Sequence, residues 1–102
     1  MVSSNICMGN GSVVIITGGA SGIGLSLGQA VAELGCHVYL IDRQKEVVEE
    51  EAKKLRGKSL KVKSIELDVR DREAFIKIIK EIHKEEGRID YLFNNAGVGA
   101  GW

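Results

Sequence analysis

A β-branched run, Ser12-Val-Val-Ile-Ile-Thr17, passes directly into Gly18-Gly-Ala-Ser-Gly22 and then into a segment of helical period. That junction constrains the chain more than any other feature. A continuous apolar run without alternation describes a strand covered on both faces, as in a parallel sheet flanked by helices. A glycine turn that ends such a strand and opens a helix presents bare backbone N–H groups at the helix's positive end. The chemistry this suits is an anion, and in a dinucleotide the anion is the diphosphate. Side chains would hold the phosphates off, so each glycine has a task. Gly18 permits the sharp turn, Gly22 the close approach, and Gly24 close packing of helix on strand. The plainer reading is a turn that favours glycine for its own geometry. The strand before it and the helix after it weigh against that reading.

The alternation continues to the last residues. Leu27, Ala30, Val31 and Leu34 recur at helical spacing, and Gly35 follows in the cap position. His37-Val-Tyr-Leu-Ile-Asp42 is a second apolar strand. Gln44 to Arg56 is a second helix with Val48, Ala52 and Leu55 on one face and Gly57 as its stop. Glu46, Glu49, Glu50 and Glu51 come early and Lys53, Lys54 and Arg56 late, which suits the helix dipole. Lys61 to Leu67 is a third strand, and Lys61 and Lys63 mark it as an edge. Asp71 is placed to cap a third helix, whose stripe is Phe75, Ile78, Ile79 and Ile82 and whose end is Gly87. Asp90 to Asn94 is the fourth strand. Strands and helices in this order require right-handed crossovers between parallel strands. The expected fold is α/β, a Rossmann-type doubly wound parallel sheet of four strands in the order 3-2-1-4 with three helices. The first two helices share one face and the third crosses to the other. Residues 1–11 are expected to be a flexible leader.

Composition excludes several partners. Fourteen basic residues balance fourteen acidic ones, so no net field draws nucleic acid or an anionic membrane. The longest apolar runs, Val13–Ile16 and Val38–Ile41, are far too short to span a bilayer. Two cysteines, Cys7 and Cys36, are too few for a disulfide scaffold, and a reducing, cytoplasmic setting is expected. Cys36 and His37 adjoin, but no second ligand pair stands at metal spacing, so no metal site is expected.

The turn reads T-G-x-x-x-G-I-G, and far downstream stands Asn94-Asn95-Ala96-Gly97. Together they resemble the short-chain dehydrogenase/reductase family, with its glycine-rich phosphate loop and its N-N-A-G motif after the fourth strand. The resemblance covers residues 12–102 and implies the adenosine-binding part of an NAD(P)-binding domain, incomplete at its C-terminal side. It implies a cofactor-binding set of Thr17, Gly18, Ser21, Gly22, Ile23, Gly24, Asp42, Arg43, Asp68, Val69, Asn95, Ala96 and Gly97. Asp42, 18 residues beyond Gly24, can accept both adenosine ribose hydroxyls and repel a 2′-phosphate, so NAD is expected rather than NADP. In the family, NADP enzymes often carry a basic residue where Ser21 stands here. Arg43 beside Asp42 pulls the other way, since an arginine can accommodate a phosphate. Asp68 would bond the adenine amino group and Val69 pack beside the ring; alternatively Asp68 is a turn former. By the same resemblance Asn94 would be a structural tie between neighbouring strands, and Ala96 and Gly97 would leave backbone room for the ribose.

The resemblance also implies the chemistry: hydride transfer between a nicotinamide and an alcohol or ketone. A Tyr serves as acid/base, a Lys four residues later favours the phenolate, and a Ser orients the substrate. Tyr39 is followed at that spacing by Arg43, and Tyr91 by Asn95. Both tyrosines lie in strands of the adenosine half, so no residue of these 102 is assigned a catalytic role. The substrate would belong to a longer form, which the family resemblance implies is a homo-oligomer. Without those elements, Tyr91, Leu92 and Phe93 form an open edge, and marginal stability with self-association is expected. A non-catalytic nucleotide-binding module is the alternative. A methyltransferase, which wants an acidic residue where Ile16 and Thr17 stand, has no use for N-N-A-G.

Overall fold

A computed structural model of the chain describes residues 11–95. Its elements are β1 (Val13–Thr17), α1 (Gly22–Glu33), β2 (His37–Asp42), α2 (Lys45–Arg56), β3 (Val62–Glu66), α3 (Arg72–Glu86) and β4 (Tyr91–Asn94). The four strands form one parallel sheet in the order β3-β2-β1-β4, with Ile15 level with Tyr39 on one side and Leu92 on the other. Every residue of β1 is buried, which is why no alternation shows in its sequence.

Alternate residues of β1 and β2 feed two apolar layers. Val14, Ile16, Val38 and Leu40 pack with Val31 and Ala32 of α1 and Val48, Ala52 and Leu55 of α2. Val13, Ile15, Tyr39 and Ile41 pack with Ile82 of α3. Phe75, Ile78 and Ile79 border this second layer half-buried, and Ile76 faces outward at 49% exposure. Asp71 caps α3 by accepting the Ala74 N–H at 3.2 Å. Gly87 ends it in the left-handed region at φ +80°. The two sheet edges differ. β3 carries exposed Lys63 and Glu66, whereas β4 presents Tyr91, Leu92 and Phe93, with Leu92 48% exposed.

Two details depart from the sequence reading. Ala30 and Leu34 of α1 face outward, and the line of contact runs through Gly24, Gly28, Val31 and Ala32 instead. The helix meets β2 where it has no side chains: a Cβ on Gly28 would lie 2.7 Å from Leu40 Cδ2. Counting apolar residues misses such a face, because the closest contact falls on residues without side chains. Gly24, in turn, packs on the turn itself. A Cβ there would overlap the Gly18 carbonyl and sit 2.8 Å from Asn95 Nδ2. Close helix-on-strand packing is thus made by Gly28, four residues on.

At the amino-terminal end of the sheet, Asp90 pins β1 beside β4. Its Oδ2 accepts the Val13 N–H at 2.7 Å and the Arg88 Nε–H at 2.8 Å, while Oδ1 accepts from Arg88 Nη2 at 2.8 Å. The guanidinium first, and the Val13 amide second, hold this carboxyl below the usual carboxylate range.

Asp90→Ala leaves the Val13 amide without its carboxylate acceptor and is expected to cost about 2 kcal/mol in urea unfolding at neutral pH. The folded-state pKa lies below the unfolded value. The stabilisation is therefore complete above roughly pH 4 and is lost as pH falls through the folded value. The difference between parent and variant should shrink in acid, and a constant difference would refute this assignment. Gly24→Ala is expected to destabilise by roughly 3 kcal/mol, at the upper end for overpacking, because a backbone carbonyl stands in the way. Gly28→Ala should cost less, since the end of the Leu40 side chain can move; the reverse order in unfolding would contradict this packing.

Candidate functional site

Parallel strands place all their carboxyl ends on one side of the sheet, and every described residue of the predicted site lies there. The order reverses at β1, which has β2 on one side and β4 on the other. A crevice at such a reversal is where open α/β sheets bind ligands.

The turn from β1 to α1 forms the floor. Gly18 takes φ +67° and Gly22 φ +58°, conformations that favour glycine. Among the described residues nothing lies within 4 Å of where a Cβ on Gly22 would stand. Ser21, Gly22 and Ile23 are exposed, Ile23 at 72%. Ser21 is the N-cap of α1, yet its side chain makes no capping bond, and no acidic residue stands in the first turn. The contrast is with α3, whose N-terminus Asp71 satisfies. Neither the N-cap side chain nor an acidic residue of the first turn offsets the partial positive charge at the start of α1.

Two strand ends hold the turn. From β2, Ile41 O accepts the Gly19 N–H at 3.1 Å, and Asp42 Oδ2 accepts the Ala20 N–H at 3.1 Å. Asp42 Oδ1 accepts the Gln44 N–H at 3.0 Å, so the carboxylate sits between the turn and the start of α2. From the end of β4, Asn95 Nδ2 donates to Gly18 O at 3.3 Å. Thr17 is fully buried, and its hydroxyl donates to Asn94 Oδ1 at 2.8 Å, joining β1 to β4. The structure thus brings Thr17, Gly18, Ser21, Gly22, Ile23, Gly24, Asp42, Asn94 and Asn95 together. Ala96 and Gly97 lie outside the described residues.

Arg43, Asp68 and Val69 form the flank. Arg43 is exposed. Asp68 is engaged by Arg70: its Oδ1 accepts the Arg70 N–H at 3.0 Å and its Oδ2 the Arg70 Nη2–H at 2.6 Å. The Arg70 guanidinium, with a smaller push from Arg43, brings this carboxyl down to about 2. Asp68 therefore builds its own turn, as the plainer reading has it, whatever else it contacts. Val69 packs half-buried against the α3 layer.

Both tyrosines lie in the sheet, at β2 and β4. Tyr39 is buried, and its hydroxyl donates to Glu86 Oε2 at 2.6 Å; burial and the neighbouring carboxylate push the phenol upward, away from easy ionisation. Tyr91 stacks on Phe93 beside the α1 layer. Cys36 is buried on the α1 side, while His37 Nδ1 lies 3.4 Å from Glu86 Oε1. Among the described residues no group of three or more metal-binding side chains comes together. No described helix is long and apolar enough to cross a membrane.

Sequence reasoning overlooked Gly19 and Gly28. A Cβ on Gly19 would lie 2.9 Å from Leu40 Cβ, so the turn sits flat on β2. Gly28 carried a signal: it follows Gly24 by four residues and so shares its face. The Asp42–Ala20 bond carried none, because a backbone amide leaves no trace in composition.

Comparison with known proteins agrees with this geometry. The family model for short chain dehydrogenase matches residues 12–101. The chain is 43% identical over 83 residues to a probable 2,4-dienoyl-CoA reductase of Bacillus subtilis, covering 81% of this chain and 33% of that protein. It superposes with a TM-score of 0.80 and 36% identity on an NAD+-bound xylitol dehydrogenase, covering 86% of this chain and 34% of that one. A short chain dehydrogenase from Bacillus anthracis gives a TM-score of 0.79 at 37% identity, covering 88% and 36%. The chain spans about a third of the length of the relatives it matches. A glycine turn open to an anion, set in a 3-2-1-4 sheet and matched along most of the chain, makes this protein a member of the short-chain dehydrogenase family, whose members bind a nicotinamide dinucleotide.

Proposed function

We propose that this chain forms the adenosine side of an NAD-preferring oxidoreductase acting on an alcohol or ketone. The observation that carries the reading is the uncapped start of α1, bare of side chains at Gly22, with the Asp42 carboxylate beside it. When bound, the nicotinamide would supply a hydride acceptor or donor; every role below belongs to the protein. The amides of Ser21, Gly22 and Ile23 would hold the diphosphate. Thr17, Gly18 and Gly24 would keep the turn in shape, with Asn94 and Asn95 behind them. Asp42 would face the adenosine ribose, Asp68 and Val69 the adenine, and Ala96 and Gly97 would give the ribose room.

NAD is preferred on electrostatic grounds. The carboxylate of Asp42 is within hydrogen-bonding distance of the turn, whereas Arg43 is close enough to influence Asp68. A 2′-phosphate beside the turn would be repelled by that carboxylate. The same reading includes a cytoplasmic setting, in keeping with a chain of only two cysteines, and a homo-oligomer for a longer form. Within these 102 residues, dinucleotide binding proceeds without turnover.

Calorimetric titration of the chain should show NADH binding at least tenfold more tightly than NADPH, a difference of about 1.4 kcal/mol. Equal affinities would remove the NAD preference, and no binding of either would remove the dinucleotide site. An alcohol-dependent rise in NADH absorbance with the purified chain would overturn the absence of turnover.

A further inference from the structure

We propose that Asp42 is a positioning residue for the glycine turn, and that it decides which backbone amides are left to meet a diphosphate. The proposal rests on the dinucleotide reading above and deepens it. Two amides of the turn are bonded to β2: Gly19 N–H to Ile41 O at 3.1 Å and Ala20 N–H to Asp42 Oδ2 at 3.1 Å. The next three residues, Ser21 to Ile23, are exposed at the uncapped start of α1. The boundary between inward and outward amides therefore falls at Ala20, the amide that a side chain holds.

The hold is a firm one. Asp42 Oδ1 accepts the Gln44 N–H at 3.0 Å, so the carboxylate is anchored at the start of α2 while its other oxygen keeps Ala20. A carboxylate accepting backbone N–H bonds makes a stronger pair than a neutral acceptor does. Ala20 is 1% exposed, so its amide has no ready access to water as a substitute. Without the carboxylate, the peptide between Gly19 and Ala20 loses its anchor, and its rotation shifts the Ala20 Cα and re-aims the next amide, that of Ser21.

This predicts an outcome that a ribose-reading role does not. Removing the negative charge should admit a 2′-phosphate, but only if an acceptor for Ala20 remains. Asn keeps an oxygen there and Ala does not. In the full 102-residue chain, Asp42→Ala is expected to weaken both NADH and NADPH about tenfold. Amide exchange at Ala20 should accelerate by a similar factor without change in β1 or β2. Asp42→Asn should bind NADPH about tenfold more tightly than Asp42→Ala and keep Ala20 protected.

Asp42→Ala binding NADPH as well as Asp42→Asn does, or leaving Ala20 exchange unaltered, would overturn the proposal. The ligand-free parent chain gives a check independent of any variant: Ala20 should exchange at least about tenfold more slowly than Ser21 and Gly22. Equal rates there would also overturn it. If neither cofactor binds the parent chain, the dinucleotide reading fails, while the exchange measurements still decide whether Asp42 holds the turn.

Discussion

The close approach of the glycine turn to the end of β2 is the constraint on which the rest depends. Gly19 lies against Leu40, its amide bonds to Ile41 O, and Gly24 sits over the Gly18 carbonyl where no side chain fits. From that contact follow the angle at which α1 leaves the sheet, the landing of Gly28 on β2, and the direction of the free amides. Helix α1 is short of large apolar residues on its inner face because the turn brings it too near the strands to accommodate them.

The two ends of the sheet divide the work. At the amino-terminal end, Asp90 and Arg88 form a closed set of charge-assisted bonds with the Val13 amide. Both oxygens of Asp90 are engaged there. At the carboxyl end, Thr17, Asn94, Asn95 and Asp42 bond to backbone and to one another so as to hold the turn, and they leave the start of α1 unsatisfied. Local stability is given up where a ligand can restore it, a pattern expected of binding sites.

Much was legible in the residues. The β-branched run Val13–Thr17 and the apolar run within His37–Asp42 read as covered strands, and both are buried in the sheet. The spacing between them left room only for crossover helices, and those fix handedness and faces. The 3-2-1-4 order expected of a doubly wound sheet was found. Helix faces were less legible. Val48, Ala52 and Leu55 read correctly because large side chains mark the inner face of α2. The inner face of α1 was misplaced at Ala30 and Leu34, since glycine marks it by absence.

The sequence by itself determined the alternation of strand and helix, the place of the anion-facing turn and the carboxylate at the end of the second strand, because those depend on side-chain type at short range. Only the tertiary structure decided what the turn leans on: Gly24 over the Gly18 carbonyl, Gly28 on Leu40, Asp42 on the Ala20 amide and Arg70 on Asp68. Three of these four contacts run to or from the backbone or to a residue without a side chain. The fourth engages a carboxylate that sequence alone left undecided between adenine and its own turn.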